Sequence, residues 1–542
     1  MGDDMDDKPK KTRKVVKVKS PPTTTKVSSS TNTKSTEKLS AKPSTKKRTV
    51  KLLASYFFKS ENIPVNVKIV DKGDYVPHYI VSIPGLAEGT KIVLNRLKGE
   101  LVTKVDLDVS EILDPKKAPK VKEKFTKRAI QLLERHFPNL SPDTKLVLAS
   151  YLIQNTLGLG DLEAPLHDDN NEEIVINSST EPVWVYHKKY GWCKTNIRIP
   201  SEEAIYDYAS LIARKVGRQI NVLNPLLDAH LPTGERVNAT LAPISSRGNT
   251  ITIRKFSTNP WTIPRFVKMG CISPELSSLI WLCIQNELSL LISGGTASGK
   301  TSFLNAISAF IPPNQRVISI EDTRELTLPS FLHWVPMVTR EANPEGKGEV
   351  TMLDLMVNSL RMRPDRIIVG EVRRQREAEV MFEAMHTGHS VYATLHADNA
   401  EETISRLTNP PINIPSSMLD ALAGIVVQYR HRRLGIRRTL EFAEIRKNGD
   451  LGILYRWDIK SDKIKRIGEM KRIAETLELY AGLSLKEIEE DVKDKSVIIN
   501  WMAKNDYTGV DQVGHIVARY YMDPDEVFNY AKKNKRWEFE SD

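Results

Sequence analysis

Gly294-Gly295-Thr296-Ala297-Ser298-Gly299-Lys300-Thr301 is the stretch that decides the fold around it, because it fits the pattern G-x-x-x-x-G-K-[ST]. The apolar run over 288–292 leads into it and predicts a buried strand. A segment with helical spacing follows, until Pro312 and Pro313 stop it. Strand, glycine loop and helix together wrap backbone N–H groups around phosphates. The sequence therefore predicts a site for a nucleoside triphosphate.

Each residue type in this loop has a predicted task. Gly294 and Gly299 permit the tight turn, and the helix that follows adds the partial positive charge of its N-terminus. Lys300 is expected to reach the β- and γ-phosphates, while the Thr301 hydroxyl holds Mg²⁺. The expected ligands are ATP and Mg²⁺, and the remaining nucleotide-binding positions are Gly295, Thr296, Ala297 and Ser298.

Length and composition bound the class of protein. The 542 residues suggest about two to four domains, and an apolar content of 40% is ample for packed cores. No apolar run approaches the ~18–20 residues that span a bilayer, and the N-terminus lacks the pattern of a signal peptide. Cys193, Cys271 and Cys283 are scattered, which predicts buried thiols in a reducing cytoplasm rather than disulfides or a tetracysteine zinc site.

The net charge of +11 is concentrated at the N-terminus. Residues 1–50 are rich in Lys, Thr, Ser and Pro and carry few apolar side chains, so we expect a disordered basic tail. Two interpretations of the tail remain open. One is a contact with anionic lipid or nucleic acid, and the other is a solubilising spacer.

The rest of the chain divides by composition. We expect an N-terminal α+β domain over 51–256, with 51–115 as a separate β-rich subunit in an alternative reading. Residues 257–264 carry two prolines and predict a hinge linker. From the phosphate loop to about residue 445 strands alternate with helices, which predicts a mostly parallel sheet covered on both faces. The domain over 265–542 is expected to end in a helical part.

Two further strand ends supply carboxylates. The apolar run 317–320 ends in Glu321, and the run 366–370 ends in Glu371. Carboxylates just past buried parallel strands lie at the ligand-binding edge of such a sheet, where they hold Mg²⁺ through water or polarise an attacking water. Glu371 is the best candidate for positioning that water, with Glu321 second and also a Mg²⁺ ligand. The alternative for each is a capped or solvated loop residue.

A histidine segment and several arginines complete the candidates. His389 and His396 bracket a predicted strand and face opposite sides of it, which makes them a poor metal pair. His396 is expected to reach the γ-phosphate, and a satisfied core histidine is the alternative. Phosphoryl-transfer sites often receive an arginine from a neighbour. The candidates before the hinge are Arg236, Arg247 and Arg254, and those after it are Arg340, Arg361 and Arg363, the last two being equally candidates for structural ion pairs.

Four boxes in register resemble those of the secretion-superfamily ATPases that drive type II secretion, type IV pili and the archaellum. They are the phosphate loop, an aspartate box at 320–322, an atypical Walker B at 363–371 and a histidine box at 387–396. The resemblance covers about residues 140–440. The segments 252–256 and 345–351 are most similar to the archaellum and archaeal pilus ATPases, whereas Arg374 and His386 depart from the family pattern.

The resemblance implies a RecA-like P-loop domain, with Lys300, Glu321, Glu371 and His396 as catalytic residues. It implies a homohexamer in which neighbouring subunits contribute arginines and a domain rotates about the hinge. The ring is expected to be cytoplasmic and peripheral, docked on a polytopic membrane platform protein, and to drive a filament. A DNA-transfer ATPase of conjugation or competence type is the alternative, although we expect no specific nucleic acid partner. A nucleotide-binding subunit without turnover is the third hypothesis.

Overall fold

A computed structural model describes residues 50–104, 118–231, 234–255, 260–342 and 346–539. Nearly all of the predicted basic tail, and residues 257–259 of the predicted hinge over 257–264, therefore lie outside the described residues. At the described end of the hinge, Thr262 is buried and its hydroxyl donates to the backbone carbonyl of Thr508. The division into domains at 256 and 264 stays a prediction.

The first half of the chain forms a nine-stranded sheet with the order β1-β2-β3-β6-β5-β4-β9-β8-β7. β3 pairs with β6 in parallel, and the other neighbours are antiparallel. The strands before residue 83 thus share one sheet with those after residue 170. The strands are β1 (Lys51–Ser60), β2 (Ile63–Asp71), β3 (His78–Ser82), β4 (Asn171–Ile176), β5 (Trp184–His187), β6 (Gly191–Thr195), β7 (Leu226–His230), β8 (Arg236–Thr240) and β9 (Thr250–Arg254).

Five helices pack with this sheet around one hydrophobic core, to which Val67, Phe125 and Ile253 contribute. Two of the helices begin at capping serines, since the hydroxyls of Ser141 and Ser201 accept backbone N–H groups three residues on. The helices are α1 (Glu88–Lys104), α2 (Ala118–His136), α3 (Pro142–Leu157), α4 (Glu163–His167) and α5 (Glu202–Lys215).

The second half forms another nine-stranded sheet with the order β12-β11-β13-β14-β10-β15-β16-β17-β18. The six strands from β12 to β15 are parallel, and β16 to β18 continue as antiparallel hairpins. The predicted mostly parallel α/β fold is confirmed. The strands are β10 (Leu290–Gly294), β11 (Val317–Glu321), β12 (Trp334–Val338), β13 (Arg366–Val369), β14 (Ser390–Leu395), β15 (Gly424–His431), β16 (Ile436–Ile445), β17 (Leu451–Asp458) and β18 (Lys463–Arg466).

Helices cover both faces of this sheet. Ile368 packs in one core, while its neighbours Ile367 and Val369 pack in another, as the period of two in a strand requires. Phe303 and Phe310 fill the first core, as the helical spacing after the phosphate loop predicted. The helices are α6 (Ile263–Lys268), α7 (Pro274–Gln285), α8 (Lys300–Ser308), α9 (Met352–Ser359), α10 (Gln375–His386), α11 (Ala400–Thr408), α12 (Arg472–Ala481), α13 (Leu485–Lys504), α14 (Val510–Met522) and α15 (Pro524–Lys532).

Two predictions from composition can be compared with this structure. All three cysteines are free and buried, as predicted. Burial raises the pKa of the Cys283 thiol to about 12 and that of Cys193 to about 11, so both are unreactive near neutral pH. Within the described ranges, no helix is long and apolar enough to cross a membrane.

Candidate nucleotide-binding site

The phosphate loop connects β10 to α8 through two glycines that no other residue could replace without strain. Gly294 has φ 150°, and a Cβ there would lie 2.2 Å from the carbonyl oxygen of Gln428 and 2.5 Å from the hydroxyl of Ser298. Gly299 has φ 99° and immediately precedes the first helical residue, Lys300. The loop therefore depends on glycine in two ways: the backbone passes close to Gln428 at Gly294, and the chain makes a left-handed turn at Gly299.

Lys300 lies folded against its own loop. Its ammonium donates to the carbonyl oxygens of Gly294 at 2.9 Å and Gly295 at 3.4 Å. Burial lowers the pKa of Lys300, and the charges of nearby carboxylates, Glu371 first among them, oppose that shift. Among the described residues no carboxylate forms an ion pair with it. The ammonium is therefore held only by neutral carbonyls, which an anionic phosphate can displace.

The loop fits a phosphate group and a bound magnesium ion. The hydroxyl of Ser298 is buried and has no hydrogen-bond partner in the described part of the chain, and a Cβ at Gly294 would fill the adjoining space. Thr301 is half-buried and its hydroxyl makes no hydrogen bond to a described residue. The described residues hold no cluster of three acidic, histidine or cysteine side chains that could bind a metal. One hydroxyl ligand suits Mg²⁺, which takes phosphate and water for its other positions.

The predicted carboxylates follow two neighbouring strands, since β11 pairs with β13. Glu371 accepts from Arg373 at 2.6 Å and 2.9 Å, and the same guanidinium donates to Asp322 at 2.7 Å. Arg373 therefore joins the Walker B end to the aspartate box. The sequence analysis assigned Arg373 no role, although its place two residues after the candidate water-positioning carboxylate could have indicated this bridge.

Glu321 is the more deeply buried of the two candidates. One carboxylate oxygen accepts the backbone N–H groups of Glu325 at 2.9 Å and Leu326 at 3.1 Å, and the other is buried without a partner in the described chain. Burial raises the pKa of Glu321 to about 7. A Cβ at Gly370 would lie 3.4 Å from the Glu321 Cα, an ordinary contact distance, so the two strand ends lie side by side. Glu321 caps its own turn here, and its catalytic and Mg²⁺-binding roles stay predictions.

The two histidines lie at opposite ends of β14. The Nε2 atom of His396 is 3.1 Å from the hydroxyl of Thr296, in the phosphate loop. The ring of His389 instead contacts the Thr387 hydroxyl at 3.2 Å and the Ala384 carbonyl at 3.3 Å, at the end of α10. The strand thus brings His396 to the site and leaves His389 away from it. A γ-phosphate contact by His396 stays a prediction.

Each predicted arginine before the hinge is paired within this chain. Arg236 donates to Asp228 at 3.0 Å and 2.6 Å, and Arg247 lies 3.0 Å from Glu181. Arg254 lies 3.1 Å from Glu325, whose charge also acts on Lys300. Of the three, Arg254 has the partner nearest the loop. Their action on a neighbour's nucleotide stays a prediction.

The predicted arginines after the hinge form no ion pair with a described residue. Arg361 and Arg363 are exposed, and both of their interpretations stay predictions. Arg366, which was not among the candidates, is fully buried, donates to Ser390 at 2.7 Å and Gln315 at 2.6 Å, and lies 3.8 Å from Glu287. Arg340 donates to the carbonyl of Gly348 at 2.6 Å.

Contacts between the first half of the chain and the segments that follow β11 and β12 were not predicted. Nε2 of His230, at the end of β7, hydrogen-bonds the hydroxyl of Thr323. Arg218 donates to Glu341 at 2.7 Å. Burial lowers the pKa of His230 below its usual value, so the imidazole is neutral near pH 7. These contacts join distant parts of the sequence, and no local pattern could have indicated them.

Comparison with known proteins adds a family and several relatives. A family model described as type II/IV secretion system protein matches residues 170–448, slightly more than half of the chain. An uncharacterised protein of Methanocaldococcus jannaschii is 28% identical over 88% of this chain and 89% of its own length. A provisionally named conjugal transfer protein of Mycobacterium tuberculosis is 32% identical over 56% of this chain and 90% of its own. The type IV secretion system protein PtlH of Bordetella pertussis is 30% identical, over 49% and 87%.

Proposed function

The chain belongs to the type II/IV secretion system protein family and is an ATPase, and from this premise we propose that it is a Mg-ATP-driven motor. Its work is to assemble or rotate a filament of the archaellum or type IV pilus kind, or to drive a related secretion machine. One observation carries the proposal. Among the described residues Lys300 hydrogen-bonds only to carbonyls of its own loop, while Glu371, which follows β13, acts on its charge.

The residues divide the work of hydrolysis. Backbone N–H groups of the loop and Lys300 bind the phosphates of ATP and compensate their charge. Thr301 would hold Mg²⁺, which supplies further charge neutralisation when bound. Glu371 accepts a hydrogen bond from the attacking water and orients it toward the γ-phosphate. In the described structure Arg373 donates twice to the Oε2 atom of this carboxylate, which leaves Oε1 to accept the water.

The motor is proposed to act as a homohexameric ring. The support is that Arg236 and Arg254 belong to the first sheet and Arg247 to the loop between β8 and β9, while the phosphate loop follows a strand of the second sheet. In a ring each arginine can leave the carboxylate that it pairs with in its own chain and bind the nucleotide of a neighbouring subunit. Mg-ATPase activity per chain, measured against protein concentration, tests this. We expect it to rise and then saturate, with a hexamer mass at the plateau. A monomer mass at full activity would refute the ring.

Docking on a polytopic membrane protein would place this ring at the inner face of the cell membrane. The family assignment supports a membrane machine as the partner. ATPase activity should rise with vesicles of anionic lipid, and deletion of residues 1–49 should abolish that rise if the basic tail makes the contact. An unchanged response after the deletion would assign the tail to spacing instead.

A DNA-transfer ATPase is the second candidate, and one observation favours it. The relative from Mycobacterium tuberculosis carries a conjugal transfer name and matches over 90% of its own length. Single-stranded DNA added to the same ATPase assay discriminates the two functions. Stimulation by DNA and not by vesicles would favour DNA transfer. Stimulation by vesicles alone would favour the filament motor.

A further inference from the structure

The hairpin of β15 and β16 extends beyond the strand that carries the phosphate loop. β10 pairs with β15 up to Gly294 opposite Gln428, where β10 turns into the loop. β15 and β16 continue for three more pairs, ending at His431 opposite Ile436. Arg437 stands in this extension, opposite Arg430. Side chains of the extension therefore lie beside the loop instead of beside another strand.

Arg437 contacts the loop at two points. Its Nε donates to the carbonyl oxygen of Ala297 at 3.1 Å. Its Cδ lies 3.8 Å from the position that a Cβ on Gly299 would take. Ala297 has φ 59°, a left-handed conformation that alanine rarely adopts. The arginine thus holds the carbonyl of the strained residue in the middle of the loop.

The rest of this guanidinium has no partner in the described structure. Its two Nη atoms make no hydrogen bond or ion pair with a described residue, although the side chain is half-buried. The adjacent Arg438 contrasts with it, because that residue donates to both carboxylate oxygens of Asp462, at 2.8 Å and 2.7 Å. A fixed guanidinium with free Nη donors suits an anion with several oxygens, such as a phosphate.

We propose that Arg437 is an additional phosphate-binding residue that contacts the α/β-diphosphate shared by ADP and ATP. The inference rests on the proposed function. Strand order sets the choice of phosphate, because β15 and β16 flank β10 on one side and β14 and β13 flank it on the other. Glu371 follows β13, so Arg437 lies on the side of the loop away from the carboxylate that faces the γ-phosphate.

Titration of the full chain with fluorescent mant-ADP, and then mant-ATP, tests the proposal. Arg437→Gln should weaken the binding of both nucleotides by about 10- to 100-fold, the range that corresponds to the loss of a hydrogen bond to a charged group. The matched control is Arg433→Gln, which removes the same charge from the exposed turn of the hairpin and should change affinity less than about twofold. A change below about threefold for Arg437→Gln, with normal binding by the parent chain, would overturn the proposal.

Two further variants separate phosphate binding from support of the loop. Ala297→Gly removes the strain, so if Arg437 serves only to hold that turn, the double variant Arg437→Gln with Ala297→Gly should recover the parent affinity. Recovery would overturn the proposal, and persistent weakness would support it. If Arg437→Gln does not fold, Arg437→Lys keeps the charge but not the fork, and should lose about 3- to 10-fold. Failure of the parent chain to bind mant-ADP would instead refute the proposed function.

Discussion

Replacing Glu321 by Gln is predicted to remove a pH-dependent loss of stability. The carboxyl is 2% exposed, and burial raises its pKa from 4.5 to about 7. Between these two values the unfolded chain has released the proton and the folded chain has kept it. Stability therefore falls as pH rises through this window, because folding then requires proton uptake. Below the unfolded pKa the carboxyl is neutral in both states and costs nothing.

The magnitude follows from the width of the window. At 1.36 kcal/mol for each pKa unit, the penalty grows by about 2.5 kcal/mol between about pH 5 and pH 8. Urea unfolding at four pH values measures it as the difference in unfolding free energy between the parent chain and Glu321→Gln. Glu349→Gln is the control, since that carboxyl is exposed. If the difference stays constant within about 0.5 kcal/mol, Glu321 is ionised in the fold and our reasoning fails.

Two other substitutions have expected outcomes in the same assays. Gly294→Ala should lower stability by about 1–3 kcal/mol from backbone strain alone and abolish mant-ADP binding, because its Cβ meets the Gln428 carbonyl. Gly295→Ala is its control, since that Cβ meets only the mobile end of a carboxylate, and equal losses would contradict this explanation. Arg366→Ala should lower the free energy of unfolding by about 3–5 kcal/mol, because Tyr392 and Ser390 lose a buried hydrogen-bond donor. Thermal unfolding measures this loss, and a variant within about 1 kcal/mol of the parent would refute it.

Local patterns predicted the elements around the phosphate loop well. The glycines, the apolar run before them and the helical spacing after them are all short-range signals, and they placed β10, the loop and α8 correctly. The caps at Ser141, Ser201 and Ser273 are short-range features of the same kind, because a cap bonds within three residues. The ends of the strands around the phosphate loop were predicted to within about two residues, the usual uncertainty of such boundaries.

Side-chain partners across the fold could not be predicted in this way. Arg437 has no local signal that distinguishes it from a surface arginine, and for Arg373 the one local signal is its place two residues after Glu371. Their contacts arise because β13 ends beside β11 and β16 begins beside the phosphate loop, which only strand order determines. Arg361 and Arg363 lie in the loop before β13 and are exposed, whereas Arg366 lies within the strand and is buried. Periodicity indicates which face a residue occupies, but not its partner.

We infer that ATP is hydrolysed at this loop, with Glu371 positioning the water. The most direct measurement is Mg-ATP binding and single-turnover hydrolysis by the parent chain, Glu371→Gln and Lys300→Ala. We predict that Glu371→Gln binds ATP as the parent does but hydrolyses it about 10²–10⁴ times more slowly. Lys300→Ala should lose binding, because a phosphate charge is left unpaired. A normal hydrolysis rate for either variant would contradict the account.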